Sequence, residues 1–429
     1  MIDVQKKGQR SSATFSRSIR LLLTRRFGTF WFASLLSNVG TWAQQVAQPW
    51  LLLSMGASSF LIGLDTFALG APGWFLTLVG GALADRADRR NVIAKYQSIQ
   101  MLCPLLLVVL LLAGMVQPWM VIALSLVIGI TDALSMPSFQ SIVPSIVARN
   151  QIASGLALNS TQYNLSRILG PAIAGVLLVS VGAVGCFAVN AASYVPFILV
   201  ALWILPRRTT VPPPDGKHER HQIFSNIRKI VRVPYLRGAL LTVATTSILC
   251  APLVTFAPVL VRDIFHGDAG HFSLVVGAFG AGGLLGAVLL MFVDADHDRR
   301  VLSSWTGGAY GVLLVLVALN PWFWGLPVLL VAGGMAMIVS NISANTLLQT
   351  NTPAHLRGQA VSLYMLAMRG GLSIGSLLTG VSVSVLGVGQ ALLINGLIAV
   401  AAQIVFGKEW LRSMPANLGS PTNIVGGKE

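Results

Sequence analysis

Acidic side chains are scarce in this sequence. Its 429 residues hold 14 Asp and Glu against 29 Lys and Arg, and the four charged types together make up only 10% of the chain. Soluble domains carry about a quarter charged residues, so an aqueous globular fold is excluded. Cysteine is nearly absent as well. Cys103, Cys186 and Cys250 each sit inside an apolar run with no CxxC or Cys/His spacing, a pattern that offers neither a disulfide framework nor a metal site. The histidines, His218, His221, His266, His271, His297 and His355, are scattered without ligand spacing. No cofactor is expected.

Apolar surface is what the chain has in abundance: 54% of its residues are hydrophobic and its mean hydropathy is +0.74. A helix crossing a bilayer needs about 20 apolar residues, so a dozen crossings use roughly 240 and leave only short loops and tails. No soluble catalytic domain fits in that remainder. No nucleophile–base pair or metal cluster recurs at one membrane depth either, so the chain is not expected to be an enzyme. The net charge of +15 would suit nucleic acid, but its placement argues for anionic lipid headgroups and against a nucleic-acid partner.

Apolar stretches broken by Gly, Pro and charge predict an all-α membrane protein with twelve spans, at 28–54, 59–84, 91–114, 118–144, 153–180, 183–205, 236–262, 270–293, 301–320, 322–348, 359–386 and 388–408. With the N-terminus inside, 26 of the 29 Lys and Arg fall on inner segments; the exceptions are Arg167 and Arg369 within spans and Arg262 at an outer end. The positive-inside rule then puts both termini in the cytoplasm. Residues 1–27 form a basic N-tail that is expected to stay in the mature protein, and 411–429 form a cytoplasmic tail.

The one long loop, 206–235, separates a bundle at 28–205 from another at 236–410. Within it Ile223, Phe224, Ile227, Ile230 and Val231 fall at helical spacing opposite Arg220, Arg228, Lys229 and Arg232, which suits either a helix lying on the inner leaflet or a solvated basic loop. The halves are weakly similar: a shift of 205 residues lays Gly170 and Gly175 on Gly375 and Gly380, and a shift near 209 lays Asp85 on Asp294. Transporters built from such repeats hold their substrate at mid-membrane between the halves.

Between spans 2 and 3 stands Gly81-Ala82-Leu83-Ala84-Asp85-Arg86-Ala87-Asp88-Arg89-Arg90. It resembles the signature loop of the major facilitator superfamily, G-x-x-x-D-R-x-G-R-R, with Asp88 where the pattern has Gly. The resemblance implies the two-bundle, twelve-helix fold, and a conformational latch made by Gly81, Asp85, Arg86, Arg89 and Arg90 in the outward-facing state. Arg167 to Gly175 in span 5, with the Gly170-Pro171 core, is similar to the antiporter motif of exporters in this superfamily. With Ser37 to Trp42 and Leu158-Asn159-Ser160, the chain looks most like the bacterial subgroup that includes the enterobactin exporter and related efflux permeases. That likeness implies a monomeric inner-membrane protein.

A charge at mid-membrane costs at least a few kcal/mol, so it normally faces a partner or a wet cavity. Asp132 and Arg167 lie at the centres of neighbouring spans 4 and 5, which predicts that they pair, with Asp132 as the proton-coupling group and a permanent structural ion pair as the alternative. Asn38, Trp42, Gln45 and Pro49 share one face of span 1, Asn159, Tyr163, Arg167 and Gly170 one face of span 5, and Asn341 and Asn345 one face of span 10. These are the expected cavity lining, together with Arg369. Asp65 is a candidate outer gate, or a polar contact between helices, and Gly170, Pro171 and Gly175 are expected at a kink or packing point. Glycines at 277, 280, 282, 283 and 286 read as close helix packing, since no strand or Lys-Ser/Thr accompanies them as a phosphate loop requires. The expected partners are therefore a small amphipathic or anionic substrate such as a siderophore or drug, protons and membrane lipids. The competing expectations are uptake or uniport of a metabolite on the same scaffold, and lipid flipping or scrambling.

Overall fold

The computed structural model describes residues 20–76, 88–140, 142–148, 151–204, 226–293, 298–353 and 356–412. The latch residues Gly81, Asp85 and Arg86 and the side chain of Arg89 lie outside them, as do Asp294 and residues 206–225 of the central loop, among them Arg220, Ile223 and Phe224. The described residues form long helices and no strands. In chain order these are α1 (Arg25–Ser54), α2 (Ser59–Leu76, broken only at Ala71), α3 (Arg89–Leu112), α4 (Pro118–Gln140), α5 (Ile152–Ser180), α6 (Gly182–Ile204), α7 (Pro234–Asp263), α8 (Ala269–Met291), α9 (Arg299–Leu319), α10 (Gly325–Asn351), α11 (Arg357–Leu386) and α12 (Val388–Arg412). A five-residue turn of helix, Ile142–Ile146, follows α4.

Eleven of these helices are long and apolar enough to span a bilayer. The exception is α1, which is 30 residues long but interrupts its apolar surface with Asn38, Gln44, Gln45 and Gln48. α1 to α6 pack into one bundle and α7 to α12 into the other, the arrangement of the major facilitator fold. Successive helices alternate in direction. The start of α1, the start of α7 and the end of α12 therefore share one face of the molecule, here the terminal end, and the connections at 55–58, 113–117, 264–268 and 320–324 share the far end.

Small residues set the helix spacing. Side chains at Gly282 and Gly286 would run into the backbone of Val331 and Met335, and one at Gly334 into that of Phe279, so α8 and α10 meet backbone to backbone. Gly277, grouped with these glycines by sequence, faces open space instead. α7 and α11 each contain one π turn, Thr246–Cys250 and Leu366–Gly370, and they touch there, Gly371 lying against Ser247 and Gly375 against the Ile248 carbonyl. A π turn leaves backbone carbonyls in need of donors. Tyr310 of α9 meets that need with a 3.1 Å hydrogen bond to the Cys250 carbonyl.

Asp88 has a structural task that its place in the loop motif does not reveal. It caps α3, its Oδ1 accepting the Arg90 N–H at 3.0 Å, while Asp298 caps α9 through the Arg300 N–H at 2.9 Å. The two Asp-Arg-Arg turns are the same device in each half, offset by 210 residues. Within the described part of the central loop, residues 226–232 are helical. Ile230 there is buried with Leu236, Leu347, Leu348 and Tyr364, so this amphipathic turn packs on the second bundle and does not simply face lipid.

Candidate functional site

The bundles meet from the far end to mid-membrane. At the far end Trp50 of α1 stacks on Phe272 of α8 with ring centroids 5.0 Å apart and planes 11° from parallel, and Arg262 of α7 donates to the Leu53 carbonyl at 3.0 Å. Deeper in, Gly63 of α2 lies against the Ser376 carbonyl and Gly380 of α11, and Gly175 of α5 lies against Ser273 of α8. Pro171 and Gly280 continue the α5–α8 seam. Toward the terminal end the facing segments are open: Leu156, Ala157, Ser160 and Thr161 of α5 and Leu366 of α11 are exposed. The space between the bundles therefore opens toward the terminal end.

The rare charges converge where that space ends. Arg369 sits in the π turn of α11 and reaches across to the first bundle, where Nη1 donates to Asp132 Oδ2 of α4 at 2.7 Å and Nη2 to Tyr163 Oη of α5 at 3.0 Å. Its guanidinium carbon lies 5.8 Å from the centre of the Tyr163 ring. The Arg369 and Asp132 side chains remain 39% and 45% exposed. Both border the space between the bundles, here called the vestibule, and neither is sealed in a tight helix contact.

Arg167 is not the partner of Asp132, contrary to the sequence-based expectation. Its guanidinium carbon stands 5.5 Å from the Trp42 ring centre, and Nη1 points at Met368 Sδ, 3.7 Å away. Among the described residues no carboxylate pairs with it. The reason for the exchange lies in backbone geometry. Neighbouring helices in the sequence suggested the Asp132–Arg167 pair, whereas the π turn of α11 presents Arg369 to α4. Trp42 meets Tyr163 edge-on, centroids 6.2 Å apart, so one tryptophan and one tyrosine carry both guanidinium groups.

The remaining predicted residues divide. Gln45 and Asn159 are partly exposed and have no hydrogen bond to a described residue. Asn38 is partly exposed and reaches Ser34 Oγ at 3.5 Å. Gly170 allows α5 to touch Trp42 and Ala43 of α1, and Pro171 and Gly175 touch α8, so this motif is a packing point between helices. Asn341 does not line the vestibule: it is 5% exposed, with its Oδ1 unpartnered. Asp65 makes a polar contact between helices, the alternative to a gate that the sequence left open. It is 4% exposed inside the first bundle, accepting from Gln48 Nε2 and Ser125 Oγ, each at 2.6 Å. Tyr163 accepts a second bond from Arg369, a role with no signal in the sequence.

A family model described as transmembrane secretion effector matches residues 19–425. Among curated proteins, the Staphyloferrin A transporter of Staphylococcus aureus is 23% identical over 383 residues, covering 88% of this chain and 94% of that one. The multidrug efflux pump Tap of Mycolicibacterium fortuitum is 26% identical, covering 77% and 83%. The enterobactin exporter EntS of Salmonella typhimurium is also 26% identical, covering 82% and 84%. Among solved structures, the nucleoside transporter NupG superposes with a TM-score of 0.68 at 13% identity, over 90% of this chain and 99% of that one. A bacterial homologue of the iron transporter ferroportin gives 0.63 at 18%, over 91% and 98%. With its two bundles closed at one end over a mid-membrane cluster of two arginines and an aspartate, the chain belongs to the transmembrane secretion effectors of the major facilitator superfamily and is a multi-pass membrane transporter.

Proposed function

We propose that this transporter exports a small amphipathic or anionic compound, of siderophore or drug type, by alternating access across a bacterial inner membrane, with both termini in the cytoplasm and protons as the driving ion. The observation that carries the choice of cargo is Arg167. A guanidinium at mid-membrane, carried on an aromatic face and paired with no described carboxylate, offers an anionic or aromatic cargo both charge and a stacking surface. The names of two relatives, a multidrug efflux pump and an enterobactin exporter, support the direction.

Asp132 and Arg369 supply the coupling. Their bond joins the two bundles, and a proton on Asp132 breaks it, leaving the bundles free to rock. The sign of the linkage follows from the cargo. A cationic or strongly donating group competes with both Arg369 and the proton for Asp132, as antiport requires. An anion that draws Arg369 away leaves Asp132 to take up a proton. Export of that anion is favoured instead by an inside-negative potential, worth about 2.3 kcal/mol per charge per 100 mV. Arg167 is the feature that favours this second, potential-driven uniport.

Proteoliposomes loaded with a fluorescent catecholate or a cationic dye separate the two. A pH gradient alone should drive efflux under the first reading and a potassium-diffusion potential alone under the second. Efflux driven by neither, or unchanged in Asp132→Asn, overturns the assignment.

A further inference from the structure

Asp65 lies outside the machinery described so far. It is a carboxylate inside a membrane helix, 4% exposed, and no described cation pairs with it. What faces it is a file of donors. Ser125 Oγ of α4 and Gln48 Nε2 of α1 each reach one carboxylate oxygen at 2.6 Å. Gln48 also donates to Ser125 Oγ at 2.7 Å, Gln44 Nε2 donates to Gln48 Oε1 at 3.1 Å, and Asn190 Nδ2 of α6 donates to Gln44 Oε1. Three amides in series thus aim their positive ends at one carboxylate, and such chains polarise one another. Dipoles and two hydrogen bonds stand where an arginine would be expected. Among the described residues, these donors alone offset the cost of burying the charge.

α2 has a second face. Gly63, two residues from Asp65, and Gly70 lie directly against Ser376 and Ser373 of α11, on the seam that closes the far end. That seam has to part for the vestibule to open outward.

We propose that Asp65 is a second proton-binding site, and that its protonation loosens the α1–α2–α4 contact and lets α2 leave α11. This rests on the alternating-access reading but not on the role given to Asp132. Charged and titratable groups on the elements around Asp65 are Arg25 and Arg26 on α1, Asp132 on α4, Cys186 and Tyr194 on α6, Tyr235, Arg237, Cys250, Arg262 and Asp263 on α7, and Arg357, Tyr364 and Arg369 on α11; none of them is bonded to it.

The test is the distance across the far-end seam as a function of pH. Spin labels at Ser58→Cys and Val385→Cys, both exposed positions, are placed in the full chain with its three native cysteines replaced by serine. The pair is measured in nanodiscs, without cargo, from about pH 8 to 5. Wild type should show a pH-driven rise in a long-distance population. Asp65→Asn should hold one population at every pH, while Asp132→Asn should still titrate. Ser125→Ala, which removes one donor to the ion, should move the transition to higher pH, and this readout stands even if Asp65→Asn fails to fold. A transition that persists unchanged in Asp65→Asn, or a midpoint unmoved in Ser125→Ala, overturns the proposal. Loss of the transition in Asp132→Asn alone assigns the pH response to Asp132, overturning Asp65 while leaving the transport reading intact.

Discussion

A guanidinium in the middle of a bilayer needs somewhere to put its charge, and the two here are served differently. Arg369 has a carboxylate and a phenol; Arg167 has a ring and a thioether. Arg167→Gln should therefore weaken binding of an anionic cargo about tenfold, or ~1.4 kcal/mol, with little effect on stability of the empty protein. Thermal-shift titration reads both. Arg167→Lys should rescue little of the loss, since a point charge cannot stack on Trp42 as a planar group does.

Outside the membrane, hydrogen bonds from the Arg300 side chain hold the Asp298 carboxyl below the usual carboxylate range. A depressed folded-state pKa contributes stability that is fully present above the unfolded value near 4 and is lost as pH falls through the lower folded value. Asp298→Asn should flatten that stretch of the stability–pH curve, measured by thermal unfolding in detergent from about pH 5 to 2. The three mid-membrane charges could be picked out in the sequence because charge is so rare there. Their pairing could not, because it depends on which way a π turn aims one side chain.

At the level of helices, backbone contact between α8 and α10 makes a sharp contrast between two neighbouring glycines. Gly282→Leu forces a side chain into the Val331 carbonyl and should cost about 1–3 kcal/mol through overpacking, seen as a lower melting temperature and folded yield. Gly277→Ala meets nothing within 4 Å and should be neutral or stabilising by up to about 1 kcal/mol from helix propensity. The sequence showed that this run of glycines packs closely, but not which of them faces a neighbour, since that is a matter of helix rotation. Helix positions themselves were plainly written: apolar length sets them, and the observed ends fall within about three residues of the expected ones over most of the chain. Asp88 and Asp298 explain the sharp starts of α3 and α9, a capping signal hidden in the first case by the loop motif around it.

In the molecule as a whole, closure at the far end and exposure at the terminal end make a simple accessibility pattern. A cysteine at Asn159 should react with a membrane-impermeant maleimide supplied at the terminal face, and one at Gly63 should not; the reverse order of reactivity would contradict the open direction of the vestibule. The two-bundle plan was legible from the repeat and the loop motif. The seam between bundles was not, because glycine contacts of α2 with α11 and of α5 with α8 join residues more than 90 positions apart.

The polarity of α1 has an effect on how the protein is made. Its buried amides find their partners on α2, α4 and α6, and Asn190 follows Gln44 by 146 residues, on the order of 10 s of synthesis. Until then α1 carries unpaired polar groups that lipid rejects, so it waits at the translocation machinery for later helices to shelter it. Nascent chains cut short after α1 should be extracted by alkaline carbonate, whereas those that continue through α6 should resist.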